Sequence, residues 1–163
     1  MERERKFLIT RLPSGLNKHP RKRIRQGYLI VPNRPPAGAV PVEVRVRDSS
    51  GQKVLTVKGG RGASRSETEI LLTAADFRSL WPLTKGARIE KVRYRIPFEK
   101  RIIELDVYGG KLRGLKTAEV EFASDAQLRK FQPPQWFGRE VTGQEKFSNS
   151  QLAAHGANHV LRA

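Results

Sequence analysis

Ile89-Glu90-Lys91-Val92-Arg93-Tyr94-Arg95-Ile96-Pro97, separated by three residues from Arg101-Ile102-Ile103-Glu104-Leu105-Asp106-Val107-Tyr108-Gly109, is the stretch that decides the fold. On a β-strand, side chains two apart share a face. The first run therefore places Lys91, Arg93 and Arg95 on one side and Val92, Tyr94 and Ile96 on the other. The second sets Glu104 and Asp106 against Ile103, Leu105 and Val107. Strict alternation of this kind announces half-buried strands.

Working outward, the same alternation recurs between Gly, Pro, Asn and Ser punctuation. Eight runs read as strands, over residues 2–9, 22–31, 42–48, 53–59, 65–71, 89–97, 101–109 and 117–122. Thr73 opens a helix that runs to Trp81 and stops at Pro82, and Ser124 with Gln127 forms a capping-box start for a second helix reaching Phe131. A third begins near Ser148 or Asn149. The Pro-rich segments 33–41 and 132–135 read as loops, and neither an internal repeat nor a domain-splitting linker is present. A chain of 163 residues is about the length of one domain able to bury a real core. The expectation is a single domain over residues 1–163, mainly β with a few covering helices.

Lys and Arg number 32 against 16 Asp and Glu, a net charge of +16 that points to anionic partners: nucleic acid, membrane surface or phosphate esters. The absence of cysteine excludes thiol catalysis, cysteine-held zinc and a disulfide scaffold. The chain is charged from its second residue and has no apolar run of 18, so neither a secretory signal nor a membrane-spanning helix is expected, and cytoplasm is the default location.

The polar faces of these strands carry like charges in pairs. Glu2 and Glu4 precede Lys6; Arg45 pairs with Arg47; Lys58 follows Leu55 and Val57; Glu67 pairs with Glu69, and Glu119 with Glu121. For one strand alone, a solvent-facing side is the simpler reading. For the set it is not, because two carboxylates ~5 Å apart repel by roughly 3 kcal/mol at an effective dielectric near 20. A closed eight-stranded barrel turns all these faces into one lumen, where acid pairs suit hard divalent cations and Arg forks suit phosphate oxygens. Eight acids and seven bases give that lumen a charge of −1, and two divalent ions bring it to +3, the complement of a triphosphate. The remaining cations, Arg21, Lys22, Arg23 and Arg25 with Lys111, Arg113 and Lys116, read as solvated surface or as a field steering polyanions to the site.

The opening Glu2, Glu4, Lys6 and Phe7 resembles the Glu-x-Glu-x-Lys signature of the CYTH superfamily, the triphosphate tunnel metalloenzymes. The likeness continues in family order through Gln26-Gly27-Tyr28-Leu29, the Arg45/Arg47 pair, Lys58, Arg65 with Glu67 and Glu69, Glu90-Lys91 with Arg93, Leu105-Asp106 and Ala118-Glu119-Val120-Glu121. Trp136-Phe137-Gly138, Glu140-Val141-Thr142 and Asn149 resemble the tail of the compact bacterial members.

The resemblance implies an eight-stranded antiparallel tunnel in which Lys6, Arg45, Arg47, Lys58, Lys91 and Arg93 bind triphosphate oxygens. By the same likeness, Glu2, Glu4, Glu119 and Glu121, with Asp106 and Glu67 or Glu69, hold two Mg²⁺ or Mn²⁺ ions, and Glu2 and Glu4 are the catalytic acids. One ion neutralises the phosphates and the second positions and acidifies the attacking water. Glu67 and Glu69 have a second reading, as counter-charges to neighbouring Arg, and Tyr28 can serve packing or substrate. At Gln144-Glu145-Lys146-Phe147 the chain departs from the compact pattern, which has an acid, a base and a Tyr before the Asn.

The implied reaction is hydrolysis of inorganic triphosphate, by an enzyme with a small-molecule substrate and room for a homodimer. Thiamine triphosphatase and adenylate cyclase of the same superfamily are the alternatives, with a non-catalytic polyphosphate-binding module beside them. The compact length and the Gln26-Gly27-Tyr28-Leu29 strand favour inorganic triphosphate. A nucleic-acid-binding barrel would interleave stacking aromatics with its basic strands. Here only Tyr94 interrupts the strongest basic strand, and it lies on the opposite face.

Overall fold

The computed structural model describes residues 3–29, 42–61, 64–157 and 160. Strands form where the alternation marks them: β1 (Glu4–Leu8), β2 (Arg21–Leu29), β3 (Val42–Ser49), β4 (Gln52–Arg61), β5 (Ser64–Leu71), β6 (Arg88–Phe98), β7 (Arg101–Tyr108) and β8 (Lys116–Glu121). They make one antiparallel sheet in the order β1-β8-β7-β6-β2-β3-β4-β5. Three short α-helices follow the expected starts: α1 (Ala74–Leu80), α2 (Asp125–Lys130) and α3 (Asn149–His155). Glu2 and the loop at 33–41 lie outside the described residues.

Local chemistry explains most boundaries. Ser49 pairs with Gln52 across a two-residue turn, and Ser50 (φ 50°) and Gly51 (φ 102°) both take the positive φ that a tight hairpin of this twist requires. Thr73 and Asp76 cap α1 reciprocally. Pro82 does not break the chain out of helical geometry as expected. It sits in the first turn of a 3₁₀ segment, Trp81–Thr84, where its missing N–H costs nothing. The capping box at α2 is also modified: Ser124 accepts from the Gln127 N–H, but the Gln127 side chain accepts from Ala123 rather than from Ser124.

The apolar faces of β1, β6, β7 and β8 look outward and carry Phe7, Ile96, Ile103, Leu105, Ala118 and Val120. Phe122, Phe131, Trp136 and Phe137, from the segment after β8, cover them. A second core closes one end of the opposite face. There the charged rows run out into Leu8, Tyr28, Ile89 and Tyr108, which pack against Leu112, Leu115, Val141, Phe147 and Leu152. Gly27 is required beneath the Trp81–Thr84 turn, since a Cβ there would stand 2.3 Å from the Thr84 hydroxyl oxygen.

Strand pairing ends at β1 and β5, which no ladder joins among the described residues, so the expected closed barrel is observed as a curled, eight-stranded antiparallel sheet. Both edge strands line the same cavity, which shows how far the sheet curls. No helix of the described residues is long and apolar enough to cross a membrane.

Candidate functional site

The inner face of the sheet surrounds a cavity of about 890 Å³. Glu4, Lys6, Arg45, Arg47, Lys58, Glu67, Glu69, Arg93, Glu119 and Glu121 line it, so the charged faces of six strands converge as the alternation implied. The solvent-face reading fails on burial: Lys6 and Arg45 are each 8% exposed, Lys91 is 4% exposed and Asp106 is inaccessible. Charged residues are almost never this buried unless they are paired or hold a ligand.

One wall is an ionic lattice across β6, β7, β8 and β1. The register sets Arg93 opposite Asp106, and Lys6 opposite Glu119. Arg93 grips Asp106 through two nitrogens at 2.7 Å each, reaches Glu119 at 3.1 Å and pairs with Glu104. Lys91 donates to Asp106 at 2.6 Å, and Lys6 stands 2.8 Å from Glu119. Burial raises the Asp106 carboxyl, but Lys91 and Arg93 outweigh it and bring the group down to about 2. Burial, with the like charge of Arg93, lowers Lys91 to about 8 against the pull of Asp106. Asp106, expected among the metal ligands, thus lies beneath the cavity surface and is enclosed by two cations. Arg95, from the same basic row, ends in solvent near Glu104 and does not reach the cavity.

The facing wall, on β3, β4 and β5, is built differently. Arg45 donates to Thr56, which in turn donates to Glu69, and Lys58 meets Glu67 at 3.0 Å. Glu67 and Glu69 thus each stand beside a cation of this wall. Arg45 and Arg47 each keep a buried Nε with no hydrogen-bond partner among the described residues. Burial, and then the neighbouring charges of Arg45 and Arg93, push the Arg47 guanidinium below its ordinary value. A buried Arg45 and a half-buried Arg47, each with a donor left over, form a site with a demand for anionic oxygen.

On the acidic side, Glu4 stands directly opposite Glu121 in the β1–β8 register, with Glu119 next along the same face. Like charges so opposed destabilise a sheet, and a cation between them offsets that. The donor set, all carboxylate oxygen, fits a hard divalent ion such as Mg²⁺ or Mn²⁺. Among the described residues the acids do not stand in a preassembled cage of three or more. Lys6, Lys58 and Arg93 hold several of them as partners.

Sequence reasoning missed several cavity residues. Glu43 shares the face of Arg45 and Arg47, and its i, i+2 spacing could have revealed it. Gln144, Glu145, Ser148, Asn149 and Ser150 come from the irregular segment into α3, where no periodicity marks a face. Tyr28 also lines the cavity while packing in the end core. Its hydroxyl accepts from Gln26 at 2.8 Å, and burial pushes its pKa up, leaving a neutral phenol. Of the surface basic residues, Lys111 is structural: its ammonium group donates to the carbonyls of Gly86 and Ala153. Arg25 stacks over Phe77 and Trp81 and pairs with Asp48.

Known proteins resemble this chain over most of its length. A family model for the CYTH domain matches residues 1–151. An inorganic triphosphatase of Nitrosomonas europaea is 41% identical over 155 residues, spanning 93% of this chain and 96% of the relative. An inorganic triphosphatase of Acetivibrio thermocellus is 35% identical over 130 residues, 78% of each chain. The crystal structure of an inorganic triphosphatase superposes with a TM-score of 0.75 at 37% identity, covering 94% of this chain and 95% of that one. With the family model spanning nearly its whole length, this chain belongs to the CYTH family.

Proposed function

We propose that this protein is a divalent-metal-dependent hydrolase of inorganic triphosphate. The observation that carries the reading is the pair Arg45 and Arg47, which line the cavity and each keep an Nε with no hydrogen-bond partner among the described residues, opposite a side that bears Glu4, Glu119 and Glu121. Triphosphatase relatives that match most of this chain support the substrate.

Arg45, Arg47 and Lys58 bind the phosphate oxygens from one wall, and Lys6 and Arg93 from the other. Lys91, fully buried, acts from behind Asp106 as part of the field that orients Arg93. Glu4, Glu119 and Glu121, with Glu2 before them in the sequence, would hold two Mg²⁺ or Mn²⁺ ions, and Asp106 serves the cations instead. A divalent metal bound there supplies Lewis-acid neutralisation of the phosphoryl oxygens. Water attacks a terminal phosphorus in line; the new P–O bond forms as the bridging anhydride bond breaks, and phosphate and pyrophosphate leave. No side chain forms a covalent intermediate. In this reading the whole chain is one tunnel domain, and β1 and β5 close it around bound triphosphate.

The test is phosphate release from purified protein given inorganic triphosphate, thiamine triphosphate, ATP or long polyphosphate, each with Mg²⁺, with Mn²⁺ and with chelator. The expected outcome is metal-dependent release that strongly favours inorganic triphosphate. Tight triphosphate binding without release from any of them would make the site a receptor.

A further inference from the structure

Asn149 lines the cavity from the first turn of α3, and its carboxamide is oriented from behind. The Tyr108 hydroxyl donates to Asn149 Oδ1 at 3.2 Å, and the same hydroxyl lies 3.4 Å from the Thr117 hydroxyl. Tyr108 is 3% exposed, so its hydroxyl is fixed by the core around it and by these two partners. An amide whose oxygen is taken by a fixed donor must turn its NH₂ the other way. Among the described residues the one side-chain hydrogen bond of Asn149 is through Oδ1, and the side chain belongs to the cavity lining.

We infer that Asn149 Nδ2 donates to a phosphate oxygen of the substrate, and that Tyr108 with Thr117 selects this orientation of the amide. The inference rests on the triphosphate reading of the site and adds a neutral donor to its cations. The physical distinction matters. A cation attracts a polyanion over several ångströms, whereas an amide N–H rewards only an oxygen placed along its axis. Asn149 is thus a positional reader at the apolar-plugged side of the cavity, supported by α3 and by the core that Phe147 and Leu152 build behind it. Tyr108 is a positioning residue, acting on substrate only through the amide.

Asn149→Asp tests this with almost no change in shape. The Tyr108 bond survives, because a carboxylate accepts as the amide oxygen did, but the donor becomes an anion facing phosphate. Since a hydrogen bond to a charged group is lost, KM for inorganic triphosphate is expected to rise about ten- to a hundredfold, with an unchanged thermal midpoint. Calorimetric binding of inorganic triphosphate without metal should weaken by a similar factor, a readout that does not depend on turnover. Tyr108→Phe should give a smaller rise, and in an Asn149→Ala background it should add nothing further to KM, whatever it does to stability. Unchanged binding and KM in Asn149→Asp would overturn the assignment while leaving the triphosphatase reading intact. Fully additive effects of Tyr108→Phe and Asn149→Ala would overturn the positioning role. If wild-type protein binds triphosphate but releases no phosphate, only the hydrolase reading fails, and the binding comparison still decides the role of Asn149.

Discussion

The two walls of the cavity carry similar residues and use them differently. On the β6–β7–β8–β1 side, every named cation is matched: Lys91 and Arg93 to Asp106, Arg93 to Glu104 and Glu119, Lys6 to Glu119. On the β3–β4–β5 side, Arg45 and Arg47 reach the cavity with buried donors left over, and Glu69, the acid nearest Arg45, is 3.9 Å away and more than half exposed. The cations of the first wall are paired before any ligand arrives, and that lattice contributes rigidity. The second has unsatisfied hydrogen-bonding capacity and so contributes affinity.

Breaking the first wall should have the largest effect on the fold. Asp106→Asn leaves Lys91 and the inner edge of Arg93 buried without their counter-charge, which is expected to cost about 3–5 kcal/mol of unfolding free energy. Urea denaturation at neutral pH reads this directly; a loss under about 1 kcal/mol would mean that the lattice is not holding the sheet. Breaking the second wall should do the reverse. Arg45→Met or Arg47→Met should raise KM for inorganic triphosphate by about ten- to a hundredfold, the loss expected for a charge-assisted hydrogen bond. Their urea midpoints should stay close to wild type, since a buried, partly repelled cation is removed in the same step. A large stability loss with little change in KM would exchange the roles of the two walls.

A smaller effect is expected from acid. The folded Asp106 carboxyl titrates near about 2, below its ordinary 3.8, so the folded state binds this proton less readily than the unfolded state does. Its stabilisation is fully present above pH 3.8 and is lost as the pH falls toward about 2. Urea midpoints measured down that range should decline in wild type. The part of the decline due to Asp106 should be missing in Asp106→Asn, and an identical acid limb in both proteins would remove Asp106 as its source.

Much of this was legible from alternation. The i, i+2 rule places charged and apolar residues on opposite faces whatever strands they pair with, so Lys91 and Arg93, or Glu119 and Glu121, could be assigned to one face without knowing their neighbours. Which strands stand side by side was not legible. β2 pairs with β6 across some sixty residues of sequence, and that contact is set by the packing of the whole sheet rather than by any local pattern. For the same reason the fate of Asp106 was hidden: its residue type suits a metal, but the register puts it between Lys91 and Arg93. The cavity residues from Gln144 to Ser150 were missed because an irregular segment has no period from which a face can be read. The end core was hidden likewise, since Leu8, Ile89 and Tyr108 continue the charged rows and only the docking of α3 and Phe147 shows what covers them.

The most direct test is the rate of phosphate release from inorganic triphosphate by Glu4→Gln, measured with saturating Mg²⁺ beside calorimetric binding of the same ligand. Glu4 sits among the acids opposite the arginine wall and outside the Lys91–Asp106–Arg93 lattice, so its neutralisation should spare the fold and most of the binding. Turnover is expected to fall by at least about a hundredfold, the scale on which losing one electrostatic contributor to a transition state is felt. Wild-type turnover in Glu4→Gln would contradict a metal-dependent reaction at this end of the cavity.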